Sequence, residues 1–124
     1  MNEKKDAMGM TITGLVERAH EQSVAAGWYL SARKDQLATL ARLALIHSEV
    51  SEATECVRES ADPANWTEWE NHKGKPEGLV IELADTVIRI ADLCGWLGLD
   101  LESAIAKKLD FNLSRPYRHG KEGL

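Results

Sequence analysis

Apolar positions recur along this chain with helical spacing, and four stretches carry the pattern. From about Thr11 to Ala26, the residues Ile12, Leu15, Val16, Ala19 and Val24 make an irregular apolar face. Gly27 follows as a residue able to take positive φ at a helix end. A longer stretch starts at Ser31 or Asp35 and reaches about Ser60. Its apolar set spreads over a wide arc that includes Leu37, Leu40, Leu43, Leu45, Ile46, Val50, Ala53 and Val57. The third opens at Pro76, whose missing N–H costs nothing in a first turn, and runs to Leu97 ahead of Gly98. The fourth is capped by Asp100, turns Leu101, Ala104, Ile105, Leu109 and Phe111 inward, and stops by Arg115 because Pro116 follows. No stretch alternates with strand period at comparable strength, so an all-α domain of four helices is expected.

Between the second and third stretches, residues 61–78 are irregular, marked by Asp62-Pro63 and Gly74-Lys75-Pro76. Trp66 and Trp69 lie three apart there and would share one side of a helical turn, covering either the end of the helices or a site. Trp28-Tyr29-Leu30, after the first helix, is expected to pack as core or lid. His72 reads as a surface residue.

Projection at about 100° per residue picks out two interruptions in the apolar pattern. On the second helix, Glu49 and Glu52 fall with Leu45 and Cys56 in a sector about 60° wide, and a carboxylate in such a row is costly unless compensated. Glu55 and Glu59 lie further round, towards solvent. The third helix is apolar almost all round; its polar window, about 80° wide, carries Glu82, Asp85, Arg89 and Asp92. A helix so widely apolar is central or meets a second subunit. Asp92 either extends the acidic group or pairs with Arg89. His47 either hydrogen-bonds behind a ligand or sits satisfied in the core.

Charge and composition narrow the chemistry. The 124 residues suffice for one core, placed at 11–121 behind a tail of residues 1–10. The net charge of -5 weighs against wrapping nucleic acid. The two cysteines, Cys56 and Cys94, read as reduced thiols. With no apolar run long enough to span a bilayer and no secretory h-region, a cytoplasmic protein with no membrane contact is expected.

Four carboxylates on two helices suit Mg²⁺, or Mn²⁺, since hard cations take oxygen ligands. Acidic pairs spaced this way are also common on solvated helix faces. The end of the chain is the opposite in charge: Arg115, Arg118 and Lys121, with Lys108 before them, form a basic and aromatic segment suited to phosphate. Acids, metal and basic groups together point to a polyphosphate substrate.

Several segments in order carry a family resemblance over roughly residues 20–121. They are Ile46-His47-Ser48-Glu49-Val50-Ser51-Glu52-Ala53, then Glu82-Leu83-Ala84-Asp85, then Gly98-Leu99-Asp100-Leu101, and last the run from Lys108 to Gly120. The chain resembles the all-α nucleoside triphosphate pyrophosphohydrolases, and is most similar to small single-domain MazG-like members, including those carried by phages. That resemblance implies a four-helix MazG-like bundle assembled as a homodimer or homotetramer (a dimer of dimers). It implies Mg²⁺ held by Glu49, Glu52, Glu82 and Asp85, and hydrolysis of a nucleoside triphosphate, expected to be a deoxynucleotide, to monophosphate and pyrophosphate. Glu49 or Glu52 would act as base and Lys108 would offset charge. Lys108 and Asn112 would meet phosphate and sugar, with Arg115, Tyr117 and Arg118 close by, and His20, Trp28 and Gln36 would hold the base. Ser48 stands where the family pattern has the first of two glutamates, which leaves the metal count open. The alternative is a non-catalytic helical module that binds nucleotide or protein; in a protein adaptor Glu82 and Asp85 would pair with basic residues and no cavity would adjoin them.

Overall fold

The computed structural model describes residues 9–30 and 33–117. Four α-helices account for most of them: α1 (Ile12–Ala25), α2 (Gln36–Arg58), α3 (Leu79–Leu97) and α4 (Leu101–Ser114). The boundaries follow local chemistry. Thr11 caps α1 by accepting from the Gly14 N–H at 3.0 Å, Asp35 caps α2 through Ala38 N–H at 2.8 Å, and Asp100 caps α4 through Ser103 N–H at 3.0 Å. Two helices end in the same way. Gly27 (φ 88°) and Gly98 (φ 69°) take the left-handed conformation after α1 and α3. The following N–H of Trp28 or Leu99 then returns to the carbonyl of Ser23 or Cys94.

α3 lies in the middle, packed on α1 along one side and on α2 along the other, while α4 lies against α1. The buried apolar residues are Ala19 of α1, Ala53 of α2, and Ala91, Leu93, Cys94 and Trp96 of α3. Most are small, which lets the helix axes approach closely. Gly95 marks such an approach, since a Cβ there would lie 2.7 Å from His20 Cβ. α4 is tied to the start of α1 by Glu102, whose Oε1 accepts from the Ile12 and Thr13 N–H groups at 3.1 and 3.3 Å. Those donors have no partner within their own helix, so the carboxylate also meets the positive end of α1.

The connection between α2 and α3 departs from expectation. Pro63–Trp66 forms a 3-10 turn, and Trp69–Glu70 (β1) pairs antiparallel with Pro76–Glu77 (β2). Pro76 is thus a strand residue, and α3 begins at Leu79. The hairpin is held by Asn71, whose Oδ1 accepts from Lys73 and Lys75 N–H at 2.8 and 3.1 Å. It joins α3 through Gly78 (φ 116°), where a Cβ would lie 2.6 Å from the Thr67 carbonyl oxygen. Trp66 and Trp69 do not share a helical turn. The Trp66 indole N–H donates to the Ser60 carbonyl at 2.9 Å, and Trp69 is exposed on β1.

The apolar sector of α4 is also less covered than its pattern implies. Leu101 and Ile105 are half-buried, but Ala104, Leu109 and Phe111 are exposed. Cys56 and Cys94 are free thiols. Among the described residues no helix is long and apolar enough to cross a membrane. Ser31, most of the tail at 1–10, Arg118 and Lys121 lie outside the described residues.

Candidate metal centre and adjoining cavity

Packing α2 on α3 turns the two acidic pairs towards each other. Glu49, Glu82 and Asp85 each place one carboxylate oxygen within 4.8 Å of the others. Glu49 is buried, Glu82 half-buried and Asp85 exposed, so the group opens outward from the α2–α3 seam. Glu52, the fourth expected ligand, is exposed and stands outside this set, although it is close enough to Glu82 to share a hydrogen bond when one of the two is protonated.

The electrostatics reflect crowding. Burial, then the neighbouring Glu52, pushes the Glu82 carboxyl up to about 7. Burial and the charge of Glu49 raise Asp85, opposed by Arg89 and Lys75. Glu82 Oε2 is buried without a hydrogen-bond partner. An orphaned acceptor among like charges needs a proton or a cation, and an all-oxygen donor set matches Mg²⁺ or Mn²⁺. The residues therefore fit a divalent ion.

Basic partners differ from those expected along the helix. Arg89 Nε donates to Glu49 Oε1 at 2.7 Å, across the seam, rather than to Asp92. Asp92 instead accepts from His20 Nδ1–H at 2.9 Å and from the Tyr29 hydroxyl. The first pairing spans helices and the second joins α3 to α1. Neither is visible from spacing along one helix. His47 is exposed and so is not a core histidine; Ser48 is exposed too and donates to the Leu45 carbonyl at 2.6 Å. Glu55 pairs with Arg58 in solvent at 3.6 Å.

Beside the carboxylates lies a cavity of about 420 Å³. Glu49, Asp85, Arg89 and Asp92 line its acidic side, and Trp28, Tyr29 and Leu45 are among the residues lining the rest. Trp28 stands at its mouth, 74% exposed. Behind it the Arg42 guanidinium lies 4.3 Å from the Tyr29 ring centre and 4.4 Å from that of Trp96, and its NH2 donates to the Trp28 carbonyl at 3.3 Å. Arg42 Nε is buried with no partner. Burial and the bond to Asp92 push the Tyr29 hydroxyl up to about 12, so it stays a neutral donor.

Of the expected base contacts, Trp28 lines the cavity, His20 is joined to it through Asp92, and Gln36 is an exposed first residue of α2 outside the lining. Lys108, Asn112, Arg115 and Tyr117 are also outside it. Lys108 Nζ and Arg115 Cζ instead lie 4.8 and 5.7 Å from the centre of the Phe111 ring. Arg42, Tyr29 and Trp96 carried no motif. The signal that could have found them is Arg42 itself, a cation inside the run from Leu37 to Ile46. No protein-family model, no curated protein and no solved structure matches the chain.

Proposed function

We propose that the protein is a Mg²⁺-dependent hydrolase of MazG-like type that cleaves a nucleoside triphosphate, preferentially a deoxynucleotide, to the monophosphate and pyrophosphate. The observation that carries this is the convergence of Glu49, Glu82 and Asp85, with an orphaned Glu82 oxygen, at the edge of a cavity with an aromatic wall. A pure protein adaptor has no need for three carboxylates beside a cavity of nucleoside size.

Glu49, Glu82 and Asp85 would hold the ion, with Glu52 joining as a ligand or as the base. Mg²⁺ in that position would supply neutralisation of phosphate oxygens and a more acidic water. Glu49 or Glu52 takes a proton from the attacking water. The new bond forms between that water's oxygen and the α-phosphorus, and the bond from that phosphorus to the α–β bridging oxygen breaks, releasing pyrophosphate. Trp28 offers its face to the base, and Asp92 holds Tyr29 and His20 in place behind it.

The basic residues of α4 complete this site best in a homodimer or a dimer of dimers. Leu40, Leu45 and Val50 of α2, Leu83 and Val87 of α3, and Leu109 and Phe111 of α4 are all exposed in a single chain. Among the described residues no large side chain is fully buried. That much apolar surface is typical of a protomer that folds against copies of itself. Housecleaning or control of a cytoplasmic nucleotide pool would be the cellular use.

The test is pyrophosphate release from a panel of common and modified nucleoside triphosphates by the purified protein with Mg²⁺. Release from at least one, abolished by EDTA and by Asp85→Asn, is expected. No release from any, together with unchanged metal binding in Glu52→Gln, would sink the proposal and leave an interaction module.

A further inference from the structure

Arg89 occupies an unusual position for a cation. It lies on α3 one turn after Asp85, and its Nε is 2.7 Å from Glu49 Oε1. The Glu49 side chain is 10% exposed and is the only buried charged residue among those described, whereas Arg89 is 43% exposed and lines the cavity. The bond uses Nε alone; the two terminal nitrogens make no hydrogen bond to protein among the described residues. A guanidinium meeting a carboxylate for strength alone would use its two-pronged edge. Here one edge is used and the rest is left available.

We propose that Arg89 is an internal counter-cation that a divalent ion displaces from Glu49, and that the released guanidinium then engages the phosphate oxygens of the ligand. This rests on the metal-dependent function proposed above. A buried carboxylate is costly without a partner, so Glu49 needs Arg89 while no ion is held. A divalent ion bound by Glu49, Glu82 and Asp85 takes over that neutralisation and repels the guanidinium a few ångströms away. Arg89 has a long stem and an exposed end, so it can move into the cavity without unfolding α3. There it faces whatever negative charge the ion has not balanced. The exchange leaves the buried Glu49 carboxylate with a cationic partner in both states, and frees the Nε edge of Arg89 for phosphate once the ion has arrived.

Arg89→Met keeps the stem and removes the charge. Calorimetry with Mn²⁺ should show it binding about tenfold tighter than the parent protein, because no cation has to be displaced. Its melting temperature without metal should be lower than the parent's, and Mn²⁺ should raise it by more. Affinity for a non-hydrolysable α,β-imido triphosphate in the presence of Mn²⁺ should fall about tenfold. A variant-free measurement guards against misfolding: in ¹⁵N-labelled parent protein, the Arg89 Nε–H resonance should move and exchange faster with water as Mg²⁺ is added. Equal or weaker Mn²⁺ binding by Arg89→Met, or an Nε–H resonance indifferent to Mg²⁺, overturns the displacement while leaving the metal centre standing. Absence of Mn²⁺ binding in both proteins removes the metal centre and the displacement together.

Discussion

His20 and Gly95 meet so closely that α1 and α3 leave no room for a methyl group between them. A Cβ on Gly95 would lie 2.7 Å from His20 Cβ and 3.2 Å from the Val16 carbonyl oxygen, neither of which is a flexible side-chain end. Gly95→Ala would gain about 1 kcal/mol of helix propensity and lose more through overpacking. The expected net result is a destabilisation of about 1–2 kcal/mol in denaturant unfolding, with Asp92 and His20 drawn apart. A variant as stable as the parent would show that the helices separate at little cost.

The carboxyl crowding at Glu82 has a sign that can be measured. Its folded value of about 7 lies above the ordinary value of 4.5, so the folded protein holds a proton that the unfolded chain releases first. Stability from this group is fully present below about pH 4.5 and is lost as pH rises through about 7. Metal-free protein should therefore melt at progressively lower temperature across that interval, and Glu82→Gln should flatten this slope. Thermal melts at a series of pH values, with EDTA throughout, measure it.

Divalent ions should replace that proton. Adding millimolar Mg²⁺ or Mn²⁺ at pH 7.5 is expected to raise the melting temperature by about 10 °C where the ion stands at 100 times its dissociation constant, since binding then contributes about 2.7 kcal/mol. Asp85→Asn and Glu82→Gln should each remove most of that rise. Glu52→Gln should reduce it less, because Glu52 stands outside the close set of three. A rise unchanged in all three variants would place the ion elsewhere.

Self-association should depend on the exposed apolar face of α3. Sedimentation equilibrium is expected to give a mass two or four times the 13.8 kDa of one chain. Val87→Asp, at a position half exposed in the single chain, should shift the protein towards monomer and weaken the dependence of its melting temperature on concentration. A monomeric parent would leave Lys108 and Arg115 without a route to the carboxylates.

The helices were legible in the sequence because their ends are written in local chemistry. Asp35, Asp100, Gly27 and Gly98 act within one turn of their own positions. The β1–β2 hairpin was not legible, since two-residue strands carry no period and the pairing depends on Asn71 and on Gly78 meeting Thr67. At the site, Glu49, Glu82 and Asp85 could be singled out because each interrupts an apolar helix face. Their partners could not. Arg89 and Asp92 are neighbours along α3, yet each reaches to a different helix, and only the packing decides between a local and a distant partner. Arg42 was passed over for the same reason, as its two ring contacts come from the α1–α2 connection and from α3.

Arg42 also makes unequal reporters of Trp28 and Trp96. Trp96 is buried under a fixed cation, and the guanidinium that covers it also pins the Trp28 backbone while leaving the Trp28 ring in water. Emission from Trp96 should stay constant as long as the fold is intact. Trp28 should shift to the blue when something fills the cavity at whose mouth it stands. The protein thus carries its own optical probe of occupancy, readable without label or turnover and separable from unfolding by the second indole behind it.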